Sequence, residues 1–153
     1  MRLISPFACL AYLLLIAHCL LFACSVPNLE AADCTAARDV VREFYSFHFG
    51  NDMRPTVDNI KLRERFITES LASKLALDLQ SGSKTMDYFT QSENFPKAFR
   101  AGECSVIQNG TSVRFRVLTF WKDDVRSEQR PIFVTAKKEK DGWRIDDVSS
   151  TEK

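Results

Sequence analysis

The amino-acid sequence predicts an α+β domain in which N-terminal helices pack on one face of a curved antiparallel sheet. Two observations predict this class. Apolar residues recur at helical spacing between residues 37 and 79, and they alternate with polar residues after residue 103, as along half-buried strands. Helices followed by a run of strands are typical of a sheet that is covered by helices on one side.

The first 23 residues have the layout of a secretory signal peptide. Arg2 supplies the positive charge, and residues 7–23 are nearly all apolar. A retained transmembrane helix is the alternative, but the apolar stretch is slightly shorter than the roughly 20 residues that span a bilayer. We therefore expect cleavage and leave this segment out of the folded domain.

A bacterial lipoprotein processing site is predicted at the end of this leader. Ala23 is the small residue that such a site requires, and Cys24 would become the first residue of the mature chain and carry the lipid. Phe22 is bulkier than the residue usual at its position. Ordinary cleavage at residues 23–25 or 31–32, which would release a soluble periplasmic protein, is therefore the alternative.

The mature chain is expected to be a single domain of the bacterial cell envelope. Removal of 23 of the 153 residues leaves 130, which we divide into a tether over residues 24–34 and a folded domain over residues 35–150. Ser25 beside the lipidated cysteine, rather than Asp, resembles the pattern of lipoproteins that are routed to the outer membrane and face the periplasm. The lipid would attach the domain to that membrane.

The charge balance argues against a nucleic-acid-binding function. One of the 21 basic residues lies in the leader, so the mature chain has 20 basic residues against 20 acidic ones. A nucleic-acid-binding protein would be expected to carry a basic excess. The expected partners are the membrane, through the lipid, and a protein of the envelope; the oligomeric state is left open.

The five cysteines divide into three groups. Cys9 and Cys19 leave with the leader, and Cys24 is committed to the lipid. Cys34 and Cys104 remain, and in an oxidising compartment a lone pair of thiols is most simply a disulfide. It would close a loop of about 70 residues and stabilise the fold by about 4 kcal/mol. Two unpaired buried thiols are the alternative.

The first helix of the domain is amphipathic. Its apolar positions are Ala37, Val40, Val41, Phe44, Tyr45 and His48. We expect Gly50 to end it in the left-handed conformation that favours glycine. A shorter helix is expected over residues 58–66.

A third helix is predicted to begin after Thr68, whose side chain suits an N-cap. Leu71, Leu75 and Leu79 mark its buried side, and Gly82 follows its end. We expect residues 81–102, which contain several aromatic residues, to form a packed irregular segment.

Four strands follow as an antiparallel meander. Strands over residues 103–108 and 111–122 flank Asn109-Gly110, a dipeptide that favours a tight hairpin. Further strands are expected at about 129–138 and 143–149, joined by similar turns. On the second strand, we expect one face to be buried, with side chains Val113, Phe115, Val117, Thr119 and Trp121.

The chain resembles the nuclear-transport-factor-2-like, or cystatin-like, cone superfamily. The motifs that carry the resemblance are VREFY at 41–45, FPKAF at 95–99 and the closing WRIDDV at 143–148. More narrowly, it is similar to bacterial exported and lipoprotein members grouped as a domain of unknown function. The resemblance covers residues 35–149 and implies a conical pocket between the helices and the sheet. It implies no reaction, since this fold hosts enzymes, ligand binders and interaction modules.

Candidate chemistry is sparse. His48 is the only histidine after the leader and could carry a proton, although a partly buried structural histidine is the more common case. Asp146 and Asp147 are adjacent on the last strand, so one is expected to face each way and to pair with a surface arginine. One histidine and two cysteines cannot build a closed zinc site. We predict no catalytic residue, metal or cofactor.

An aromatic pocket is the remaining candidate site. The residues that could line it, if the cone is open, are Tyr45, His48, Phe115, Trp121 and Trp143. The alternative is that these rings form the hydrophobic core, as large aromatic side chains usually do.

Three functions are compatible with these observations. The first is a non-catalytic, lipid-anchored envelope protein that binds another protein or a small ligand. The second is an immunity or inhibitor protein that neutralises a toxin in the periplasm. The third is an enzyme of the ketosteroid-isomerase or dehydratase type, which would need an open cone with a base inside it.

The lipid assignment predicts the outcome of metabolic labelling. Cells that express the wild-type chain should incorporate labelled palmitate into it, and Cys24→Ala should abolish that label because the processing site then has no thiol to accept the lipid. The matched control is Ser25→Ala, which keeps the thiol. Unchanged labelling of Cys24→Ala would exclude lipidation at this position.

Overall fold

The computed structural model describes residues 30–152, except residues 83–85, 109, 123 and 126. Among these described residues, three helices precede four strands. The helices are α1 (Ala32–Phe49), α2 (Val57–Arg63) with a 3-10 turn at Glu64–Phe66, and α3 (Glu69–Gln80). The strands are β1 (Ala98–Gln108), β2 (Ser112–Lys122), β3 (Ser127–Glu139) and β4 (Gly142–Ser149). The α+β class is confirmed, while the leader and Cys24 lie outside the described residues.

The four strands form one antiparallel sheet in the order β1-β2-β3-β4, which confirms the meander. Along β2 the burial alternates, and the predicted inner side chains are all buried. The helices cover this inner face, so the sheet has one face in the core and one face turned outward. In the part of the chain that the structure describes, no helix is both long and apolar enough to cross a membrane.

Helix α1 supplies the largest share of the helical side of the core. Ala37, Val41, Phe44 and Tyr45 are fully buried, as their spacing predicts. The helix begins at Ala32, inside the segment that we assigned to the tether, with Asp33 in the first turn, where the helix dipole favours a negative charge.

The predicted left-handed end of this helix at Gly50 is wrong. Gly50 has a φ of −80° and a ψ of −4°, which is an ordinary right-handed conformation. The backbone N–H of Gly50 still donates to Ser46 O (3.1 Å), and the side-chain amide of Asn51 donates to Phe47 O (2.7 Å). The last carbonyls are therefore satisfied without the positive φ that would require glycine.

Threonine side chains cap the two shorter helices. Thr68 Oγ1 accepts a hydrogen bond from Leu71 N (3.2 Å), as predicted, and Thr56 Oγ1 accepts one from Asn59 N (3.2 Å). Gly82, which follows α3, has a φ of +68°. Its positive φ is the conformation that glycine adopts at a helix end.

Strand β1 begins five residues earlier than predicted, at Ala98 rather than Glu103. A bulge between Ala101 and Cys104 interrupts its register with β2, and this extra residue conceals the alternation in the sequence. Gly102 is part of the bulge, and a Cβ there would lie 2.7 Å from Arg116 O. The close approach of the two backbones explains why glycine occupies this position.

Strand β4 also carries a bulge, which corrects the expectation for its two aspartates. The register with β3 shifts at Thr135/Ala136, so Ile145 and Val148, three residues apart, are both buried. Asp146 accepts from Thr68 Oγ1 (2.8 Å) and Asp147 from Tyr88 OH (2.6 Å). Both aspartates engage residues from the helical side, rather than the surface arginine that we expected.

A disulfide joins Cys34 of α1 to Cys104 of β1, as predicted, with a Cα–Cα distance of 5.9 Å and a sequence separation of 70. Cys34 is buried at 1% exposure. The bond therefore connects the first turn of the helical layer to the first strand of the sheet.

The disulfide predicts a large effect of reduction on stability. Cys34→Ala/Cys104→Ala should lower the free energy of unfolding by about 4 kcal/mol, because the unfolded chain is no longer constrained by a loop of this length. Urea denaturation of the oxidised wild type, the reduced wild type and the double variant measures the effect. The reduced wild type should behave like the double variant, with the exposed substitution Ser105→Ala as control. Equal midpoints for the oxidised and reduced wild type would contradict the prediction.

Candidate functional site

His48, the one histidine after the leader, lies in a buried polar cluster near the end of α1. Its ring is 1% exposed. Arg63 Nε donates to His48 Nδ1 (2.8 Å), and His48 Nε2 is 2.9 Å from Asp87 Oδ2. Because a guanidinium can only donate, Nδ1 must be the acceptor and Nε2 must carry the proton. His48 is therefore a neutral ring that accepts a hydrogen bond from Arg63 and donates one to Asp87.

Arg63 belongs to α2 and is 2% exposed. Beyond His48, its guanidinium donates to Asn59 O (2.6 Å) and Asp52 O (2.8 Å). Burial lowers the pKa of Arg63 from its ordinary value, and the carboxylates of Asp87 and Asp52 oppose that shift. The side chain remains a cation, and its charge is compensated by hydrogen bonds to the ring and to two carbonyls.

Asp87 is the acceptor at the other end of this chain. Its carboxylate accepts from the backbone N–H groups of Phe89 (3.1 Å) and Thr90 (3.1 Å) and from Thr90 Oγ1 (2.5 Å). The residue is 2% exposed and forms a short bridge with Ser92. Asp87 thus organises the turn over residues 87–92 and compensates for its own burial.

Sequence reasoning assigned no role to Arg63 or Asp87. A signal for Arg63 is present, because Arg63 follows Ile60 by three residues on a short helix and therefore shares its buried side. Asp87 has only a weak signal, since a single aspartate before Tyr88-Phe89-Thr90 is also typical of an exposed turn. The partnership of the two residues depends on contacts between segments that are distant in the chain.

An aromatic shell encloses the cluster. Phe44 stacks on the His48 ring at 5.5 Å and 9°, and Phe89 meets it edge-on at 5.3 Å. Tyr45 OH donates to Phe89 O (2.8 Å), and burial raises the pKa of Tyr45 well above its ordinary value. The phenol is therefore a neutral structural donor that holds the turn against α1.

The cavity beside the cluster is small. It has a volume of about 30 Å³, and residues such as Met53, Leu75 and Met86 line it together with His48, Arg63 and Asp87. This space suffices for one or two water molecules, whereas sites for drug-sized ligands occupy at least roughly 300 Å³.

The five residues predicted to line a pocket are not brought together around this cavity. His48 lines it, while Tyr45 and Phe115 are fully buried in the core. Trp121 donates from Nε1 to Asn94 O (2.6 Å), and the Trp143 ring lies 5.8 Å from Lys138 Nζ. The aromatic side chains of the set fill the inner side of the sheet and its margins.

The arrangement offers little acid–base or metal chemistry. Both ring nitrogens of His48 are occupied by a cation and a carboxylate, so neither is free to accept a proton from a substrate. Among the described residues, one group has metal-ligand spacing, namely Glu30, Cys34 and Cys104. Its sulfurs are joined in the disulfide, and Arg38 binds the Glu30 carboxylate and lowers its pKa.

The comparisons with known proteins identify similar folds. No family model matches this sequence, and no curated protein matches it. The fold is similar to a chain of the type VI native effector-immunity complex Tae3-Tai3 from Ralstonia pickettii, with a TM-score of 0.57 and 14% identity over 77% of this chain and 97% of that chain. It is also similar to a protein of unknown function from Bacteroides thetaiotaomicron, with a TM-score of 0.52 and 14% identity over 74% and 88% of the two chains. At this identity the likeness shows the fold alone.

The buried cluster predicts a large stability effect at Arg63. Arg63→Met should lower the free energy of unfolding by about 3 kcal/mol, because it leaves His48 without a donor and Asp87 without a nearby cation. A double-mutant cycle with His48→Phe, measured by urea denaturation, should give a coupling energy of about 1–3 kcal/mol. Arg42→Met, at an exposed position of α1, is the control and should change stability by less than about 0.5 kcal/mol. Additive effects in the cycle would show that the contact is energetically unimportant.

Proposed function

We propose that this protein is a non-catalytic binding protein of the bacterial envelope and that its partner is another protein. The observation that carries the proposal is the filled inner side of the sheet. Both ring nitrogens of His48, the one histidine of the domain, are hydrogen-bonded to Arg63 and Asp87. The adjoining cavity has a volume of about 30 Å³. We therefore infer that binding uses the outside of the domain and that the partner is a protein.

The filled interior disfavours the enzymatic alternative. A ketosteroid-isomerase-type enzyme needs a cavity for its substrate and a base inside that cavity whose acceptor atom is free. In the described part of the chain, Tyr45, Phe115 and the rings around His48 occupy the corresponding space. Membership of the cone superfamily is compatible with this proposal, since a filled cone serves as a scaffold for a binding surface.

The envelope location rests on two kinds of observation. The disulfide between Cys34 and Cys104 suits an oxidising compartment, and the first 23 residues have the layout of a signal peptide. We further propose that Cys24 carries a lipid and that the residues before α1 act as a tether. An anchor would keep the binding domain at high local concentration near the membrane. A soluble periplasmic protein is the alternative.

An immunity or inhibitor protein is the specific form of this function that we favour. The support is the fold shared with a chain of the effector-immunity complex from Ralstonia pickettii, where 97% of that chain is covered. A protein that neutralises a toxin needs a rigid surface and no chemistry of its own. The disulfide and the buried polar cluster suit such a rigid scaffold.

Crosslinking in intact cells tests the proposal, followed by a toxicity assay. A reversible amine crosslinker applied to cells that express the tagged chain should yield one reproducible protein adduct, identified by mass spectrometry. Directed alone to the periplasm, that partner should inhibit growth, and co-expression of this chain should restore it. A non-toxic partner would exclude immunity and leave protein binding intact. The absence of any adduct would contradict protein binding itself.

A further inference from the structure

We propose that the outward face of the sheet is the docking surface and that it receives an acidic surface of the partner protein. We call this surface the outer sheet face and define it by Arg100, Arg116, Leu118, Phe120, Pro131 and Phe133. The inference rests on the proposed protein-binding function and adds the location of the interface and the charge of the partner.

The register of the sheet places these residues side by side. Leu118 pairs with both Arg100 and Pro131, and Arg116 pairs with Phe133. They alternate with the buried positions of β2 and β3, so they project away from the helices. The apolar members form a stripe across β2 and β3, and the two arginines stand beside it.

The apolar centre of this face suits a protein partner. Leu118 and Phe120 are half-buried, and Phe133 is 9% exposed although it faces outward. Aromatic residues and arginine are enriched in the centres of protein interfaces, where charged residues of other types are depleted. A surface of this composition can exclude water around a few strong contacts.

This face carries more basic than acidic side chains. Five basic side chains stand at outward positions of β1, β2 and β3, namely Arg100, Arg114, Arg116, Lys122 and Lys137. Where β2 and β3 pair, no outward position of these fully described strands is acidic, and on β1 Glu103 lies beside Arg114 and Arg116. Since the mature chain has as many acidic as basic residues, the rest of its surface is acidic on balance. A partner with an acidic face is therefore attracted to this side and repelled elsewhere.

Two carboxylates of this chain already lie at this face. A depression of about 400 Å³ opens on it, and Arg114, Arg116 and Phe133 line the depression together with Glu103 of β1 and Glu152 from the tail after β4. A carboxylate beside two arginines and an aromatic ring is the arrangement that an acidic partner residue would reproduce. The outer sheet face thus already lies beside carboxylates of its own chain, which is the kind of group that we expect from the partner.

The largest depression on the helical side is less selective. The groove along α2 and α3 has a volume of about 600 Å³, and its charged residues are mixed: Lys61, Glu64, Glu69, Glu139 and Arg144. Mixed charge attracts no particular class of partner. A membrane surface is a weaker candidate for the outer sheet face, because membrane binding uses exposed apolar side chains that insert into the lipid, and Phe133 is only 9% exposed.

Site-specific photocrosslinking tests the location of the interface. A photoreactive phenylalanine analogue at Leu118 of the full chain should crosslink to the partner in cells, whereas the same analogue at Leu77, an exposed leucine of α3, should not. Adducts from position 77 alone would overturn the docking surface and leave the proposed function standing. If neither position gives a crosslinked adduct and the amine crosslinker gives none either, both proposals would be overturned.

Charge reversal tests the chemistry of the contact. With the identified partner in purified form, Arg100→Glu/Arg116→Glu should weaken binding about tenfold or more at low salt, and added salt should weaken wild-type binding. The matched control, Arg42→Glu/Lys61→Glu, changes the net charge equally at exposed helical positions and should change affinity little. Arg100→Lys/Arg116→Lys should largely restore affinity.

Three outcomes would overturn the charge argument. Equal weakening by the two reversed pairs would mean that net charge alone matters, and no weakening by either would exclude the outer sheet face. The third is binding of the purified chain to vesicles of phosphatidylethanolamine and phosphatidylglycerol that is lost in Arg100→Glu/Arg116→Glu while partner binding is kept. That result would assign the face to a membrane. Circular dichroism melting confirms that each variant is folded.

Discussion

The hydrogen-bond chain from Arg63 through His48 to Asp87 is the contact on which the helical side of this domain depends. It joins α1, α2 and the turn over residues 87–92, which are three segments distant in sequence. Burying a cation and a carboxylate costs several kcal/mol unless their polar atoms are satisfied. Here each member has several partners. The cluster therefore favours one arrangement of the three segments, because other arrangements would leave a buried charge unpaired.

This constraint also bears on the proposed binding surface. Because the cluster and its aromatic shell fill the space over the inner face, the interior has little room for a ligand. The opposite face of the sheet has no helix over it among the described elements, and it combines an apolar stripe with arginines. The binding function that we propose therefore lies on the outside of the domain rather than in its interior.

Both edge strands of the sheet, β4 and β1, are protected from pairing with other strands. The free side of β4 is covered, since Thr68 N donates to Ile145 O (2.9 Å) and Tyr88 OH accepts from Val148 N (3.3 Å). On the other edge, the bulges in β1 and the Arg38 hydrogen bonds to Ala101 O and Gly102 O interrupt the free backbone. Covered or interrupted edges discourage pairing with other strands, which leaves the faces of the sheet as the natural surfaces for recognition.

The sequence by itself determined the order of helices and strands, the buried face of β2, the Thr68 cap and the disulfide, because each follows from spacing or from the chemistry of a residue type. It failed at Gly50, at the start of β1 and at Asp146 and Asp147. In those places a side-chain hydrogen bond or a bulge replaced the regular local pattern. Only the tertiary structure decided the environment of His48, because Arg63 and Asp87 reach it from 15 and 39 residues away. Spacing in a sequence reports which side of an element is buried, but partnerships between elements depend on how those buried sides meet.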